Sequence, residues 1–172
     1  MITFLFQVHK FIVHEDYENY MRNDIALVVL KKPFNFQESE GQIGAICLPT
    51  GDAVFKAGVE VAGWGGSRTM DTFRYLKTVT PQLRKDDYCR LHLTEFSASL
   101  MKCSEPLGKV SCEGDDGGPA MQRNHGVVEQ VGIVSIVYNC AVAPAFYTKV
   151  ASYTDWIKLN MEEYNGIQGK DK

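Results

Sequence analysis

Apolar positions in this chain run continuously or with a period of two over most of its length, and switch to a helical period only near the end. Ile2 to Val13 is apolar with weak alternation, which predicts one or two strands. His14 to Asn23 is polar and rich in turn formers. Ile25 to Leu30 is then an unbroken apolar run, the pattern of a strand covered on both faces. Asp24 stands directly before it, where a carboxylate is costly unless hydrogen-bonded; on this pattern alone it reads as a turn or strand-capping residue. Pro33 to Gly44 reads as a loop, Tyr75 to Val79 as a strand, and Asp86 to Leu93 as a short helix or turn. Val127 to Val137 is rich in β-branched residues and predicts one long strand or a hairpin arm. Phe146 to Val150 alternates cleanly.

From Ser152 the period changes. Tyr153, Trp156, Ile157, Asn160, Met161 and Tyr164 share a helical spacing, Ser152 with Asp155 makes a capping box, and Gly166 is the expected stop. The tail Gly166 to Lys172 is expected to fray.

Composition narrows the function classes. With 172 residues, 45% of them hydrophobic, the chain can bury a core, and its length favours one domain. A net charge of −3, a pI near 5.8 and the lack of a basic run argue against nucleic acid as a partner. No stretch is long and apolar enough to span a bilayer. The opening M-I-T-F-L-F-Q-V-H-K lacks the basic start, long apolar core and small-residue cleavage site of a signal peptide. The five cysteines, Cys47, Cys89, Cys103, Cys112 and Cys140, contain no C-x-x-C pair, so neither a zinc site nor a redox motif is indicated. Two bridges and one unpaired thiol fit an oxidising compartment.

The densest signal is V-S-C-E-G-D-D-G-G-P-A, Val110 to Ala120. Three glycines, a proline and adjacent carboxylates exclude helix and regular strand, and such a loop can turn backbone N–H groups inward around an anion. Calcium binding fits poorly: counted from Glu113, the fifth position of a calcium loop is Gly117 and the twelfth Asn124. No metal and no cofactor is expected.

The loop resembles the G-D-S-G-G-P signature of trypsin-like, chymotrypsin-family serine proteases, with Asp116 in place of the nucleophilic serine. N-D-I-A-L-V-V-L, from Asn23, resembles the strand that carries the triad aspartate in that family. I-C-L-P (Ile46 to Pro49) is similar to its inter-barrel linker, V-A-G-W-G (Val61 to Gly65) to the strand entering the second barrel, and F-Y-T-K-V to the closing strand. The resemblance runs from about Val8 to Met161. It implies an all-β, chymotrypsin-like double β-barrel with a C-terminal α-helix, the first barrel incomplete. A single partial domain over 1–172 would divide into a first-barrel remnant and linker (1–49), a second barrel (50–151) and a helix (152–165). The family's activated N-terminus and its A-A-H-C histidine segment are expected before Ile2.

Roles follow by resemblance, residue by residue. Asp24 takes the position of the triad acid and Asp116 that of the nucleophile, while Gly114 and Asp116 supply the backbone oxyanion donors. Val110, Ser135, Val137 and Ala145 take pocket positions. Val110 removes the counter-ion for Lys or Arg, and Val137 and Ala145 add bulk where open pockets have glycine, so a surviving pocket is shallow and apolar. Asp115 matches the carboxylate that pairs with the activated N-terminus; lacking that terminus, it is expected to stay solvated. Cys89 pairs with Cys103 and Cys112 with Cys140. A third family bridge is replaced by Val59 and Gln122. Cys47 matches a cysteine that ties the protease domain to an N-terminal segment such as a clip domain of arthropod proteases.

An ionised carboxylate is a poor nucleophile toward an amide. His9, His14, His92 and His125 all read as surface histidines, so no general base is identified. The expected function is a non-catalytic serine-protease homologue, secreted and acting with protein partners in a proteolytic cascade. The alternative is an incomplete chain of an active serine endopeptidase.

Overall fold

The computed structural model describes residues 5–18, 22–50, 55–65, 75–107, 114–137 and 142–168, with side chains as far as Tyr164. In chain order the elements are β1 (Val8–Val13), β2 (Ala26–Leu30), β3 (Glu60–Gly63), β4 (Lys77–Val79), α1 (Asp86–His92), β5 (Met101–Cys103), β6 (Pro119–Asn124), β7 (Val127–Val137), β8 (Ala145–Lys149) and α2 (Thr154–Gln168). Strand β7 organises the larger sheet, whose order is β4-β3-β6-β7-β8-β5, all antiparallel. Its edges meet: Leu83 bridges Ser104, the Arg84 N–H donates to the Cys103 carbonyl at 3.0 Å, and the Glu105 N–H to that of Gln82 at 2.9 Å. The sheet therefore closes into a barrel, which gives its outer strands partners. Strands β1 and β2 form a separate two-stranded sheet. The architecture is mostly β with a C-terminal helix, the chymotrypsin-like fold that the resemblance implies.

Local chemistry explains the central hairpin. His125 (φ +46°) and Gly126 (φ +85°) both adopt left-handed backbone between β6 and β7, matching the twist of a tight two-residue turn. Midway along β7, a Cβ on Gly132 would lie 2.6 Å from the Phe55 ring and 3.1 Å from the Ala120 Cβ, so glycine there lets the ring pack against the strand.

The core has three parts. Val59, Val61, Ala120, Val131, Val134 and Tyr147 fill the barrel. Cys89, Cys103, Phe96 and Phe146 pack between α1, β5 and β8, with Cys89 bonded to Cys103. Ile25 meets Val150, Tyr153 and Ile157, joining the N-terminal sheet to the C-terminal helix. Cys112 and Cys140 lie outside the described residues, and Cys47 carries an exposed free thiol. Val59 and Gln122 are both buried, and the Gln122 amide oxygen accepts the Lys56 N–H at 3.1 Å.

Four expectations are corrected. The Ile25 to Leu30 run is not covered on both faces: Ile25 is buried, but Val28 is 54% exposed. Strands β5 and β6 were not anticipated; they are short or begin in the glycine-rich loop, so neither shows a long alternation. The predicted capping box does not form, because the chain enters α2 through a 3-10 turn and the Ser152 hydroxyl donates to the Ser99 carbonyl instead. The helix also passes Gly166, running to Gln168.

Burial of two tyrosines has a measurable consequence. Tyr147 is fully buried, its hydroxyl 3.2 Å from that of Ser104, and Tyr153 is 3% exposed with its hydroxyl donating to Asn23. Burial pushes both phenols up from 10.0 to about 12. The unfolded chain ionises first, so their contribution to stability is fully present below pH 10 and is lost as pH rises toward about 12. An ultraviolet titration should show these phenols ionising last, together with unfolding.

Candidate functional site

The site is built where β2, β7 and the glycine-rich loop converge. Asn23, at φ +52°, turns the chain before β2 and leaves Asp24 half-buried against the barrel. The Ser135 hydroxyl donates to Asp24 Oδ2 at 2.6 Å, and the Thr148 hydroxyl to the Asp24 carbonyl at 2.9 Å. The register of β7 against β8 shifts between Val134 and Ile136, skipping Ser135. Such irregularities re-aim a side chain, here toward Asp24. The structure thus gives Ser135, read from the sequence as a pocket residue, a direct hydrogen bond to Asp24, the residue that the resemblance puts in the triad-acid position.

The loop around Asp116 is stitched to the same strand. Gly117 donates to the Val134 carbonyl at 2.8 Å, Val134 to the Gly118 carbonyl at 2.9 Å, and Gly118 to the Asp115 carbonyl at 2.8 Å. Gly114 (φ +95°) and Gly117 (φ +79°) occupy left-handed backbone that this tight path requires. Both Gly114 and Asp116, the residues carried over as oxyanion donors, are exposed. Asp116, Gly117, Asp24 and Ser135 line one cleft of about 900 Å³, with apolar walls that include Phe11, Val13, Val28 and Ile133.

Asp115 differs from expectation. It is 5% exposed rather than solvated, and its Oδ1 accepts the Gly65 N–H at 2.6 Å. Glycines make the space: a Cβ on Gly63 would fall 1.8 Å from Asp115 Oδ1, and one on Gly65 would fall 2.4 Å from its Cγ. A carboxylate is tolerated inside when donors replace its water, and here a backbone N–H from the V-A-G-W-G strand helps hold it.

Among the other pocket positions, Val137 and Ala145 face each other across β7 and β8. Ala145 is fully buried in the barrel core, while Val137 packs partly against that core and lines the cleft. Val110 lies outside the described residues.

None of the four histidines lines the cleft. His14 is not the surface residue expected: its ring stacks on Trp156 at 5.0 Å, meets Tyr153 edge-on at 5.4 Å, and accepts the Asp16 N–H through Nδ1. Beside it the Trp156 indole donates to Glu15 at 2.9 Å. Glu15's own backbone N–H and then this indole hold its carboxyl below the usual range. His9 lies near Tyr164, His92 beside Tyr88, and His125 in the β6–β7 turn. Among the described residues no three His, Cys, Asp or Glu side chains gather as a metal site.

Relatives place this geometry. A family model described as Trypsin matches residues 3–157. Trypsin-1 of Astacus astacus is 36% identical over 163 residues, which cover 89% of this chain and 66% of that protein. Transmembrane protease serine 11G of Mus musculus is 34% identical, covering 88% of this chain and 38% of its own length. Clotting factor G beta subunit of Tachypleus tridentatus is 30% identical, covering 89% and 55%. The chain thus spans less than two-thirds of the length of each of these relatives. A matching family model over most of the sequence, a closed barrel with its C-terminal helix, and Asp24 held at the cleft by Ser135 agree: the chain belongs to the trypsin-like serine protease family.

Proposed function

We propose that this chain is a non-catalytic serine-protease homologue that binds or regulates protein partners in an extracellular proteolytic cascade. The observation that carries the reading is Asp116: where the family motif has serine, an exposed carboxylate lines the cleft beside Asp24 and Ser135. Peptide cleavage by this family's mechanism needs a hydroxyl nucleophile and an imidazole to take its proton. A carboxylate there is a weak nucleophile toward an amide and repels the oxyanion that would form. Asp24 keeps its place because it also ties β2 to β7, a role that survives without chemistry. The Cys89–Cys103 bridge supports an oxidising, extracellular setting, and no described helix is long and apolar enough to cross a membrane. A clotting factor subunit among the relatives supports the cascade setting.

Purified protein should neither hydrolyse peptide substrates nor react with a serine-directed fluorophosphonate probe. Asp116→Ser alone should remain inactive, because no imidazole lines the cleft among the described residues. Covalent labelling of the Val110–Pro119 loop, or turnover by the unmodified chain, would overturn the proposal.

A further inference from the structure

We propose that Lys149 is a carbonyl-reactive amine, at which a small uncharged aldehyde condenses with this chain to form an imine. The site lies apart from the cleft and does not depend on the non-catalytic reading. Lys149 ends β8, which pairs with β5 so that Met101 faces Thr148 and Lys102 faces Tyr147. Side chains alternate along a strand, so Lys102, Tyr147 and Lys149 share one face of this pair. The two lysines are diagonal neighbours, a spacing of about 7–8 Å that long side chains bridge. Two ammonium groups so placed repel, and the structure treats them unequally. Lys102 has a carboxylate: its Nζ lies 3.1 Å from Oδ1 of Asp86, which stands in the first turn of α1. Lys149 is half-buried and donates instead to a neutral acceptor, the Ala98 carbonyl. Among the described residues no carboxylate oxygen lies within ion-pair distance of it.

An exposed lysine offers an electrophile little, since at neutral pH only about one amine in several thousand lacks its extra proton. Desolvation beside a second cation is the arrangement that turns a lysine into a Schiff-base nucleophile. Here burial is the largest cause holding the Lys149 ammonium below its ordinary 10.5; Asp86 works against it and Lys102 with it. The free amine attacks the aldehyde carbon, a C–N bond forms, and the carbonyl electron pair moves onto oxygen. That oxygen leaves as water with both hydrogens of the amine, and a C=N bond remains. The balance needs no oxidant, reductant or cofactor. Lys102 and Asp86 already neutralise each other, so nothing there selects a charged aldehyde, and the half-buried amine favours a small one.

The test uses the whole folded chain and butyraldehyde near neutral pH, with the imine trapped by cyanoborohydride and each lysine read by peptide mapping. Lys149 should label about threefold faster than the exposed Lys31, Lys85 and Lys158, and the advantage should vanish in urea. Its labelling rate should also level off at a lower pH than theirs. The neighbours move it in opposite directions. Lys102→Gln removes the repelling cation and frees Asp86 to hold the Lys149 ammonium, so labelling there should fall to the level of the exposed lysines. Lys102→Arg keeps the cation and should keep the parent rate. Asp86→Asn removes the opposing carboxylate, so labelling at Lys149 should rise. A variant that simply unfolds loses the preference, so this rise separates the proposal from a loss of structure. Labelling of Lys149 no faster than the exposed lysines would overturn the proposal. An advantage that persists in urea or in Lys102→Gln, or a fall in Asp86→Asn, would do so as well.

Discussion

Native-state hydrogen exchange should divide this chain in two, with amides of Val131, Val134 and Phe146 to Thr148 exchanging on the order of 100-fold more slowly than those of β1 and β2. The slow set lies in strands paired on both sides within a closed barrel, and their side chains are buried. The fast set belongs to a two-stranded sheet, and such sheets are marginal in water unless something packs on them. Here the described packing is narrow. Ile25 enters the third cluster, Asp24 and Asn23 are held by Ser135, Thr148 and Tyr153, and His14 wedges against Trp156. Phe11, Val13 and Val28 contribute little because they remain largely exposed. Opening β1–β2 therefore costs a fraction of the global unfolding free energy. Uniform protection from Phe11 through Val134 would show that the small sheet is bound to the barrel more firmly than these contacts allow.

Gly63→Ala should destabilise the fold by roughly 3 kcal/mol, combining overpacking with loss of a buried hydrogen bond. The added methyl would lie 1.8 Å from Asp115 Oδ1, so the carboxylate has to move, and the Gly65 N–H loses its acceptor at 2.6 Å. Gly44→Ala is the control: its Cβ would meet nothing within 4 Å and its backbone is unremarkable, so a change within about 0.5 kcal/mol is expected. Urea midpoints read both. A double variant Gly63→Ala/Asp115→Ala should be less damaged than the sum of its single changes, since the methyl then has no carboxylate to displace. Equal midpoints for Gly63→Ala and Gly44→Ala would mean that Asp115 is held less tightly than its burial implies.

Much of this was legible in the sequence, and the reasons are physical. The long β7 strand announces itself through β-branched residues, and α2 through its helical spacing. The glycine-rich loop shows itself because only glycine tolerates the backbone at 114 and 117. What stayed hidden depended on partners far along the chain. Nothing near Asp115 in the sequence reveals that Gly63 and Gly65 open a slot for it. Ser135 gave no local sign of reaching Asp24, 111 residues away. His14 looked like a turn residue because Tyr153 and Trp156 are contributed from the opposite end. The apolar run after Ile25 signals burial, yet periodicity cannot say which face is covered.

The third cluster also sets an order of events. Thr148 reaches back across 124 residues to Asp24, Tyr153 across 130 to Asn23, and Trp156 across 141 to Glu15. A ribosome adding about 5–20 residues per second makes the later partners on the order of ten seconds after the earlier ones. Throughout that interval Ile25 and its neighbours have emerged while the side chains that cover them have yet to be joined to the chain. Helix α2 therefore acts as the latch of the fold: the barrel can close first, and the early strands are fastened only when synthesis delivers Tyr153, Trp156 and Ile157.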